Sequence, residues 1–259
     1  MKILVVGGGG REHAIVWKIA QSPKVDKIYC APGNGGIAEL AECVDIAATD
    51  IENMVKFAKD NAIDLVMVAP DDPLVLGMVD AMEKEGIRAF GPRANAAIIE
   101  GSKAFSKELM KKYNIPTANY EVFTDSTSAI NYIKAQNTFP TVIKADGLAL
   151  GKGVIIAQNL EEAEQAVHEM IDDGKFGKSG SRVVIEEFLT GPEVSVLAFT
   201  DGKTVKPMVS AQDHKRAYDN DEGLNTGGMG TFSPSRLYDD AKAEECMKNI
   251  FVPTIGYEQ

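Results

Sequence analysis

The sequence predicts an α/β protein in which a doubly wound parallel sheet comes first and a small α+β lobe follows. Residues 1–101 alternate short apolar runs, such as Ile3 to Val6, with segments of helical periodicity. A continuous apolar run is typical of a strand buried on both faces, and the strand–helix alternation calls for parallel strands covered by helices. The length of 259 residues suits two or three compact units.

The elements of this first part follow one another at short intervals. Gly86 comes directly after the third predicted helix, where glycine is a common C-cap. We predict strands at Ile3–Val6, Lys27–Cys30, Asp64–Ala69 and Arg88–Phe90, and helices at Arg11–Ser22, Ile51–Asn61 and Met78–Glu85.

A second group of elements follows the pair Gly91-Pro92, which marks a boundary. Asn159 is predicted as the N-cap of a helix that has Glu162 at N3, a variant of the capping box. His168 borders the apolar stripe of that helix, and we interpret it as a boundary residue rather than a ligand. We predict helices at Ser102–Tyr113, Thr127–Gln136, Leu160–Asp172 and Asp239–Ile250, strands at Tyr120–Phe123, Pro140–Ala145, Val154–Ala157 and Arg182–Glu187, and a hairpin at Val194–Ala211.

Composition and charge exclude several classes of function. The hydrophobic share of 44% and charged share of 25% are those of an ordinary globular protein. A net charge of -11 argues against nucleic acid as a partner, although it allows small phosphorylated ligands. No apolar run approaches the roughly 20 residues that span a membrane. Three cysteines without a CxxC pair are typical of reduced thiols. We therefore expect a cytoplasmic protein.

Four glycines, Gly7 to Gly10, follow the first predicted strand and open the first helix. The G-x-G-x-x-G spacing of dinucleotide sites fails here, because Glu12 or His13 stands where the third glycine belongs. The N–H groups of such a turn nevertheless suit a single phosphate or another small anion. The alternative is that the glycines serve only the close packing of the helix against the sheet.

A second glycine-rich segment lies between two strongly β-forming runs, in VIKADGLALGKGVII (residues 142–156). A Walker A loop leads into a helix, whereas this segment leads into a strand, so it is not a P-loop. It predicts a hairpin lid whose N–H groups, with Lys152, could fold over a polyphosphate. Lys144 ends the first strand; alone, such a lysine could simply extend to the surface.

A third segment places five polar residues, Gln212 to Arg216, ahead of the glycine-rich turn NTGGMG (residues 225–230). Burial of this run would leave charges unpaired, so we expect it to face water, a ligand or counter-charges. The alternative is a solvated loop. Glycines at 227, 228 and 230 allow the backbone to approach a bound group closely.

Five segments together resemble those of the glycinamide ribonucleotide synthetases, a family of ATP-grasp ligases. They occur in the family's order and cover nearly the whole chain. The resemblance implies an N-terminal substrate domain at 1–101, a linking helix at 102–119, a small lobe at 120–190 and an incomplete central lobe at 191–259. The segments are GGGGREHA (7–14), EGSKAFSK (100–107), VIKADGLALGKGVII (142–156), VVIEEFLTGPE (183–193) and QDHKRAYDNDEGLNTGGMG (212–230).

The resemblance implies ATP-dependent ligation of glycine to 5-phosphoribosylamine through glycyl phosphate, with Mg²⁺ or Mn²⁺ as cofactor. For the phosphates of ATP it implies Lys103, Lys144, Gly147, Gly151, Lys152 and Gly153, and for adenosine Glu186, Glu187, Phe188, Leu189 and Glu193. For the substrates it implies Gly8, Gly9, Gly10, Arg11, Glu12, Asn34, Asp71, Asn225, Thr226, Gly227, Gly228, Met229 and Gly230. For catalysis it implies Asp213, His214, Lys215 and Arg216.

The resemblance also indicates which roles and activities are not expected of this chain. Lys107, one helical turn after Lys103, is interpreted as a surface charge. The family's metal ligands come later in its sequences, so no metal ligand is expected in this chain. We expect an N-terminal portion that has no turnover alone and tends to self-associate. Two further hypotheses stay open, namely another carboxylate–amine ligase of the ATP-grasp type and a nucleotide-binding protein without catalysis.

Overall fold

The computed structural model describes residues 1–148 and 153–256. Its contacts divide the chain into two compact units, which are described in turn. The first comprises Met1–Ser106, Ala145–Gly153 and Gly174–Ser181, and the second comprises Lys107–Lys144, Val154–Asp173 and Arg182–Gln259. Each unit is made of several separate segments of the chain, whereas the domains expected from the sequence are continuous. The expected domain limits remain a prediction.

The first unit is built on a five-stranded sheet in the order β3-β2-β1-β4-β5, with every neighbouring pair parallel. This order is that of a doubly wound sheet, so the predicted fold class is confirmed. The elements are β1 (Lys2–Gly7), α1 (Gly10–Ile19), β2 (Lys27–Pro32), β3 (Glu42–Cys43), α2 (Ile51–Asp60), β4 (Leu65–Val68), α3 (Asp71–Val75), α4 (Met78–Lys84), β5 (Ala89–Phe90), α5 (Ala94–Gly101) and the start of α6 (Lys103–Lys112), whose residues from Lys107 onward belong to the second unit.

Strand β1 supplies the centre of two apolar clusters because its side chains alternate between the faces of the sheet. Leu4 and Val6 lie in one cluster, with Met54 of α2 and Met82 of α4. Ile3 and Val5 lie in the other, with Val16 of α1. All four β1 residues are nearly inaccessible to solvent. Helices therefore cover both faces, as the continuous apolar run predicts.

Three elements of this unit have no counterpart in the sequence prediction: β3, α3 and α5. Strand β3 has two residues, and α3 begins at Asp71, three positions after the end of β4, in a segment for which no element is predicted. At the end of α4 the prediction holds, since Gly86 adopts a φ of 74° and the amide of Ile87 donates to the carbonyl of Met82. These bonds close the helix in a Schellman arrangement.

The second unit contains a four-stranded sheet in the order β6-β9-β7-β8. Ile143, Ala145, Val183 and Ile185 are buried. The α8 cap forms as predicted, because Asn159 accepts from the amide of Glu162 and its own amide group donates to the Glu162 side chain. The elements are β6 (Tyr120–Phe123), α7 (Ser126–Gln136), β7 (Thr141–Ala145), β8 (Val154–Ala157), α8 (Leu160–Ile171) and β9 (Val183–Glu187).

The remaining strands correct the sequence prediction. The hairpin expected at Val194–Ala211 is present but shorter. The polar run, for which no strand is predicted, is itself a strand paired antiparallel with the segment that contains NTGGMG. A helical stretch follows, with a π-helical turn at Met247–Phe251. The elements are β10 (Ala198–Thr200), β11 (Val205–Pro207), β12 (Gln212–Tyr218), β13 (Glu222–Phe232), α9 (Asp240–Cys246) and α10 (Val252–Ile255).

His168 lies half-exposed on α8 and its Nδ1 is 2.6 Å from a carboxylate oxygen of Asp172, which agrees with a boundary position. None of the helices within 1–148 and 153–256 combines the length and apolarity that a membrane crossing requires.

Candidate functional site

The opening loop, residues 7–10, lies at the carboxyl end of β1, where open parallel sheets bind ligands. The amide of Gly9 donates to a carboxylate oxygen of Glu12 at 2.6 Å, and Glu12 is only 5% exposed. The Glu12 carboxylate therefore caps the first turn of α1. Gly10 and Arg11 are exposed at the same turn. Their assignment to a ligand remains a prediction.

Asn34 joins the opening loop to the loop after β2. Its Nδ2 group donates to the carbonyl of Gly8 at 2.9 Å, and its Oδ1 atom accepts from the amide of Ile37 at 2.9 Å. The side chain expected to contact substrate thus has both ends engaged in the protein. Through these two hydrogen bonds, Asn34 fixes the position of the opening loop relative to the loop after β2.

Gly8 is sterically required at its position. A Cβ atom built there would lie 2.5 Å from the carbonyl oxygen of Gly33, which is backbone and cannot swing away. At Gly10, by contrast, a Cβ atom would meet nothing within 4 Å. The glycine at residue 8 thus permits the close approach of two loops, a packing role different from the helix–sheet contact considered from the sequence. Asp71, the last residue assigned to this end of the sheet, begins α3 and is half-buried.

Asp146 ties the start of the second glycine-rich segment to helix α6. Its carboxylate accepts from the Ser102 hydroxyl group at 3.0 Å and from the amide of Ala104 at 2.7 Å. Its carbonyl oxygen accepts from the amide of Lys103 at 3.0 Å. Both Asp146 and Ser102 are buried. Sequence reasoning missed this pair, although a serine immediately before a helix is a usual N-cap signal.

The expected phosphate residues around this segment are partly described. Lys103 Nζ donates to the carbonyl of Gly147 at 3.0 Å, so this lysine lies against the glycine-rich segment. A Cβ atom at Gly147 would lie 2.4 Å from the Ser179 Oγ atom, a contact that favours glycine there. The carbonyl of Gly153 accepts from the amide of Ala145 at 2.8 Å. Gly151 and Lys152 lie outside the described residues.

Glu186, near the end of β9, lies between two lysines. Its Oε2 atom is 2.9 Å from Lys144 Nζ and 3.1 Å from Lys107 Nζ. The side chains of Glu186 and Lys107 are 6% and 7% exposed, whereas that of Lys144 is 28% exposed. The prediction of Lys107 as a surface charge is therefore wrong. A carboxylate buried at this depth needs counter-charge, and Lys107 supplies it from α6.

The residues after Glu186 turn outward. Glu187 accepts from the backbone amide of Asn119 at 3.1 Å and from its side-chain amide at 2.9 Å. These contacts join Glu187, the last residue of β9, to Asn119, the residue immediately before β6. Phe188 and Leu189 are exposed to 37% and 64%. Their assignment to adenine remains a prediction.

Glu193 and Lys215 form an ion pair, and a carboxylate oxygen of Asp213 lies 3.8 Å from the same ammonium group. The hydrogen bond that Lys215 donates to Glu193 raises the pKa of Lys215, and partial burial opposes that effect. Lys215 therefore stays charged at neutral pH. Glu193 therefore has a cationic partner within the protein, and its assignment to the ribose remains a prediction.

The other residues of β12 and β13 are held mainly by the strand pair. His214 stacks on Phe232 with ring centroids 5.8 Å apart, and Arg216 donates to the carbonyl of Gly223 at 2.6 Å. Thr226 donates to the carbonyl of Lys215 at 2.8 Å and accepts from the amide of Gly228. Met229 is 63% exposed. Roles in catalysis or glycine binding for Asp213 to Arg216 and Asn225 to Gly230 remain predictions.

No group of three or more His, Cys, Asp or Glu side chains suited to a metal ion occurs within residues 1–148 and 153–256. The two carboxylates at the end of β9 have protein partners, Glu186 with two lysines and Glu187 with Asn119. The described donor set therefore does not form a site for Mg²⁺ or Mn²⁺, and no chemical step is assigned to a metal here.

A doubly wound sheet followed by a small antiparallel lobe with a lysine–glutamate pair defines the ATP-grasp class. Residues 101–257 match the family "Phosphoribosylglycinamide synthetase, ATP-grasp (A) domain", and residues 1–100 match "Phosphoribosylglycinamide synthetase, N domain". The chain belongs to the phosphoribosylglycinamide synthetase family.

Individual relatives agree with this assignment. The chain is 53% identical over 254 residues to a phosphoribosylamine–glycine ligase of Halalkalibacterium halodurans, covering 98% of this chain and 59% of the relative. It is 52% identical to that of Haemophilus influenzae over 258 residues, covering 99% and 60%. The chain thus spans about 60% of the length of the curated relatives that it matches.

Solved structures show the same fold. The crystal structure of a phosphoribosylamine–glycine ligase from Thermotoga maritima matches with a TM-score of 0.83 at 30% identity, over 98% of this chain and 60% of that one. The biotin carboxylase domain of the 2-oxoglutarate carboxylase from Hydrogenobacter thermophilus matches with a TM-score of 0.76 at 18% identity, over 99% and 58%. At that identity the second match shows the fold alone.

Proposed function

We propose that this chain binds ATP and acts in the ligation of glycine to 5-phosphoribosylamine. In this reaction the glycine carboxylate attacks the γ-phosphate of ATP, giving glycyl phosphate and ADP. The amine of phosphoribosylamine then attacks the acyl carbon and displaces phosphate, which gives glycinamide ribonucleotide. The names of the relatives with about 50% identity support this substrate pair.

The observation that carries the nucleotide part is the contact between Lys144 and Glu186 on the small sheet. Lys144 is the less buried of the two lysines at this carboxylate. It lies three positions before Gly147, the first glycine of the glycine-rich segment. A lysine at this position can neutralise phosphate charge, and Glu186 with the backbone that follows can meet the adenine edge.

The remaining residues are proposed by the same resemblance. Lys103 and the glycines at 147, 151 and 153, with Lys152, contact the phosphates. The opening loop binds the phosphate of phosphoribosylamine. The segment Asp213 to Arg216 lies where the substrates meet, and Thr226 to Gly230 binds the glycine carboxylate. Catalysis of this kind depends mainly on positioning and on neutralising the transferred phosphoryl group.

The test is the affinity of this chain for ATP, measured by isothermal titration calorimetry with and without the change Lys144→Met. The Met side chain keeps most of the stem and removes the charge, so the fold is expected to survive. Loss of one charged phosphate contact is expected to weaken binding by about tenfold or more. Unchanged affinity in this variant would remove Lys144 from the nucleotide site.

A separate measurement addresses the substrate pair. Phosphate release by the full-length H. halodurans relative, with glycine and phosphoribosylamine, is compared with release by a chimera that carries this chain in place of the matching 59% of its sequence. Turnover that requires both substrates supports the proposal. Turnover only with a different carboxylate or amine would favour another ATP-grasp ligase, and nucleotide binding without turnover would favour a non-catalytic binding protein.

A further inference from the structure

We propose that Lys107 is a positioning residue that holds Glu186, through their buried ion pair, in the orientation that meets the adenine base. The inference rests on the proposed nucleotide site and adds a residue to it. Lys107 lies on α6, 79 positions before Glu186, and the two side chains meet at 3.1 Å in the second unit. Neither is more than 7% exposed.

The ammonium group of Lys107 is fully engaged in the protein. It donates to the Thr117 hydroxyl group at 2.7 Å and to the carbonyl of Ala118 at 3.2 Å, in addition to its contact with Glu186. Three N–H donors thus have three acceptors. The ring of Tyr120 lies 5.4 Å from the same nitrogen. Lys107 is therefore held in place and is not available to a ligand.

Lys144 differs from Lys107 in each of these respects. Its side chain is four times as exposed, at 28% against 7%, and among the described residues its Nζ atom contacts only Glu186. Lys144 can therefore turn towards a phosphate group when a nucleotide binds. Lys107 then remains as the counter-charge of the buried carboxylate.

Retention of that counter-charge matters for recognition of the base. Without Lys107, the buried carboxylate of Glu186 would lose its fixed partner and would no longer be held in this orientation. An ionised carboxylate only accepts hydrogen bonds, which suits the 6-amino group of adenine and opposes the 6-oxo group of hypoxanthine. Lys107 thus sets the preference for an adenine over a hypoxanthine nucleotide without contacting either.

The experiment compares the dissociation constants of ADP and inosine diphosphate, by calorimetry, for the wild-type chain and for Lys107→Met. We expect the variant to lose about tenfold in ADP affinity. Affinity for inosine diphosphate should change less, so that the ratio between the two nucleotides falls. Lys111→Met is the matched control, because Lys111 lies on the same helix and is exposed. Lys107→Arg, which keeps the charge, should restore part of the preference.

A double-mutant cycle separates positioning from general destabilisation. In a Glu186→Gln background the carboxylate is absent, so Lys107→Met should no longer change the ratio of ADP to inosine diphosphate affinity. Should Lys107→Met fail to fold, Lys107→Gln, which removes the charge but keeps a donor, replaces it in the cycle.

Two outcomes overturn the inference in different ways. Wild-type ADP binding with an unchanged nucleotide ratio in the Lys107 variants refutes the role of Lys107 and leaves the nucleotide site intact. Absence of ADP binding by the wild-type chain refutes the proposed function itself, and the inference with it.

Discussion

The carboxylate of Asp146 accepts a hydrogen bond from the hydroxyl group of Ser102, which lies 44 residues earlier in the chain. The same carboxylate caps the first turn of α6 through the amide of Ala104. Lys103, between these two residues, donates to the carbonyl of Gly147. One buried side chain therefore fixes both the start of the glycine-rich segment and the helix that carries a proposed phosphate lysine.

Removal of this carboxylate should destabilise the first unit. Asp146→Ala leaves a buried hydroxyl and a helix amide without their acceptor, which costs about 2 kcal/mol or more. The measurement is the free energy of unfolding in urea. Asp45→Ala is the control, because Asp45 is exposed in the same unit, and it should change stability by no more than about 0.5 kcal/mol. Equal effects of the two changes would contradict the role of Asp146.

Two glycines of the opening loop should respond in opposite ways to alanine. Gly8→Ala forces the loop away from the carbonyl of Gly33 and should cost about 1–3 kcal/mol. Gly10→Ala places a better helix former at the first residue of α1, in open space, and should be neutral or stabilise by up to about 1 kcal/mol. Thermal unfolding of both variants gives the comparison. A stable Gly8→Ala protein would show that the two loops separate at little cost.

Cys30 should resist alkylation in the folded protein. Burial, followed by the nearby Cys43 and Glu12, raises the pKa of its thiol from the ordinary 9.0 to about 12. Iodoacetamide at pH 8.5 should therefore label the exposed Cys43 and leave Cys30 unmodified, as mass spectrometry of peptides would show. In urea all three cysteines should react, which is the internal control. Rapid labelling of folded Cys30 would contradict its burial.

The same thiol gives a pH dependence with a defined sign. In the unfolded chain the thiol loses its proton above pH 9.0, whereas in the folded protein it keeps the proton up to about pH 12. The unfolded state therefore binds fewer protons in that window, so stability falls as pH rises through it. Cys30→Ala should lessen this fall, measured as urea midpoints between pH 8 and pH 10, relative to Cys246→Ala.

Lys103 should contribute to nucleotide affinity. Lys103→Met removes a charge that lies against the carbonyl of Gly147, and we expect ADP to bind about tenfold more weakly. Lys111→Met, on the exposed side of the same helix, is expected to leave the affinity unchanged. Equal affinities for Lys103→Met and the wild-type chain would exclude Lys103 from the phosphate contacts.

The sequence predicts those elements well whose signal is local. Strands β6 and β8 have the bounds expected from their apolar patterns, and α8 begins at its predicted cap. The burial of Lys107 cannot be predicted from its own helix, because it depends on contacts with Thr117, Ala118 and Glu186, none of which lies on α6. Its neighbours on α6 are mostly polar, a pattern typical of a solvated face.

Strands β12 and β13 were missed for a different reason. Their sequences carry a run of charges and several glycines, which have low strand propensity. Pairing between the two segments, with contacts such as Thr226 to the carbonyl of Lys215, supplies the order that propensity does not. Such pairing depends on register between two segments and cannot be obtained from either alone.

The bridge made by Asn34 has a bearing on the chemical ageing of the protein. Asn34 precedes Gly35, a sequence in which the next backbone nitrogen attacks the side-chain amide with little steric obstruction and ammonia is lost. The two hydrogen bonds to Gly8 and Ile37 restrain that amide. Conversion of Asn34 to aspartate would replace its Nδ2 donor with a carboxylate oxygen, which would repel the carbonyl oxygen of Gly8. The opening loop would then lose its tie to the neighbouring loop, so aged preparations would accumulate molecules in which this loop is displaced, with no change in the number of residues.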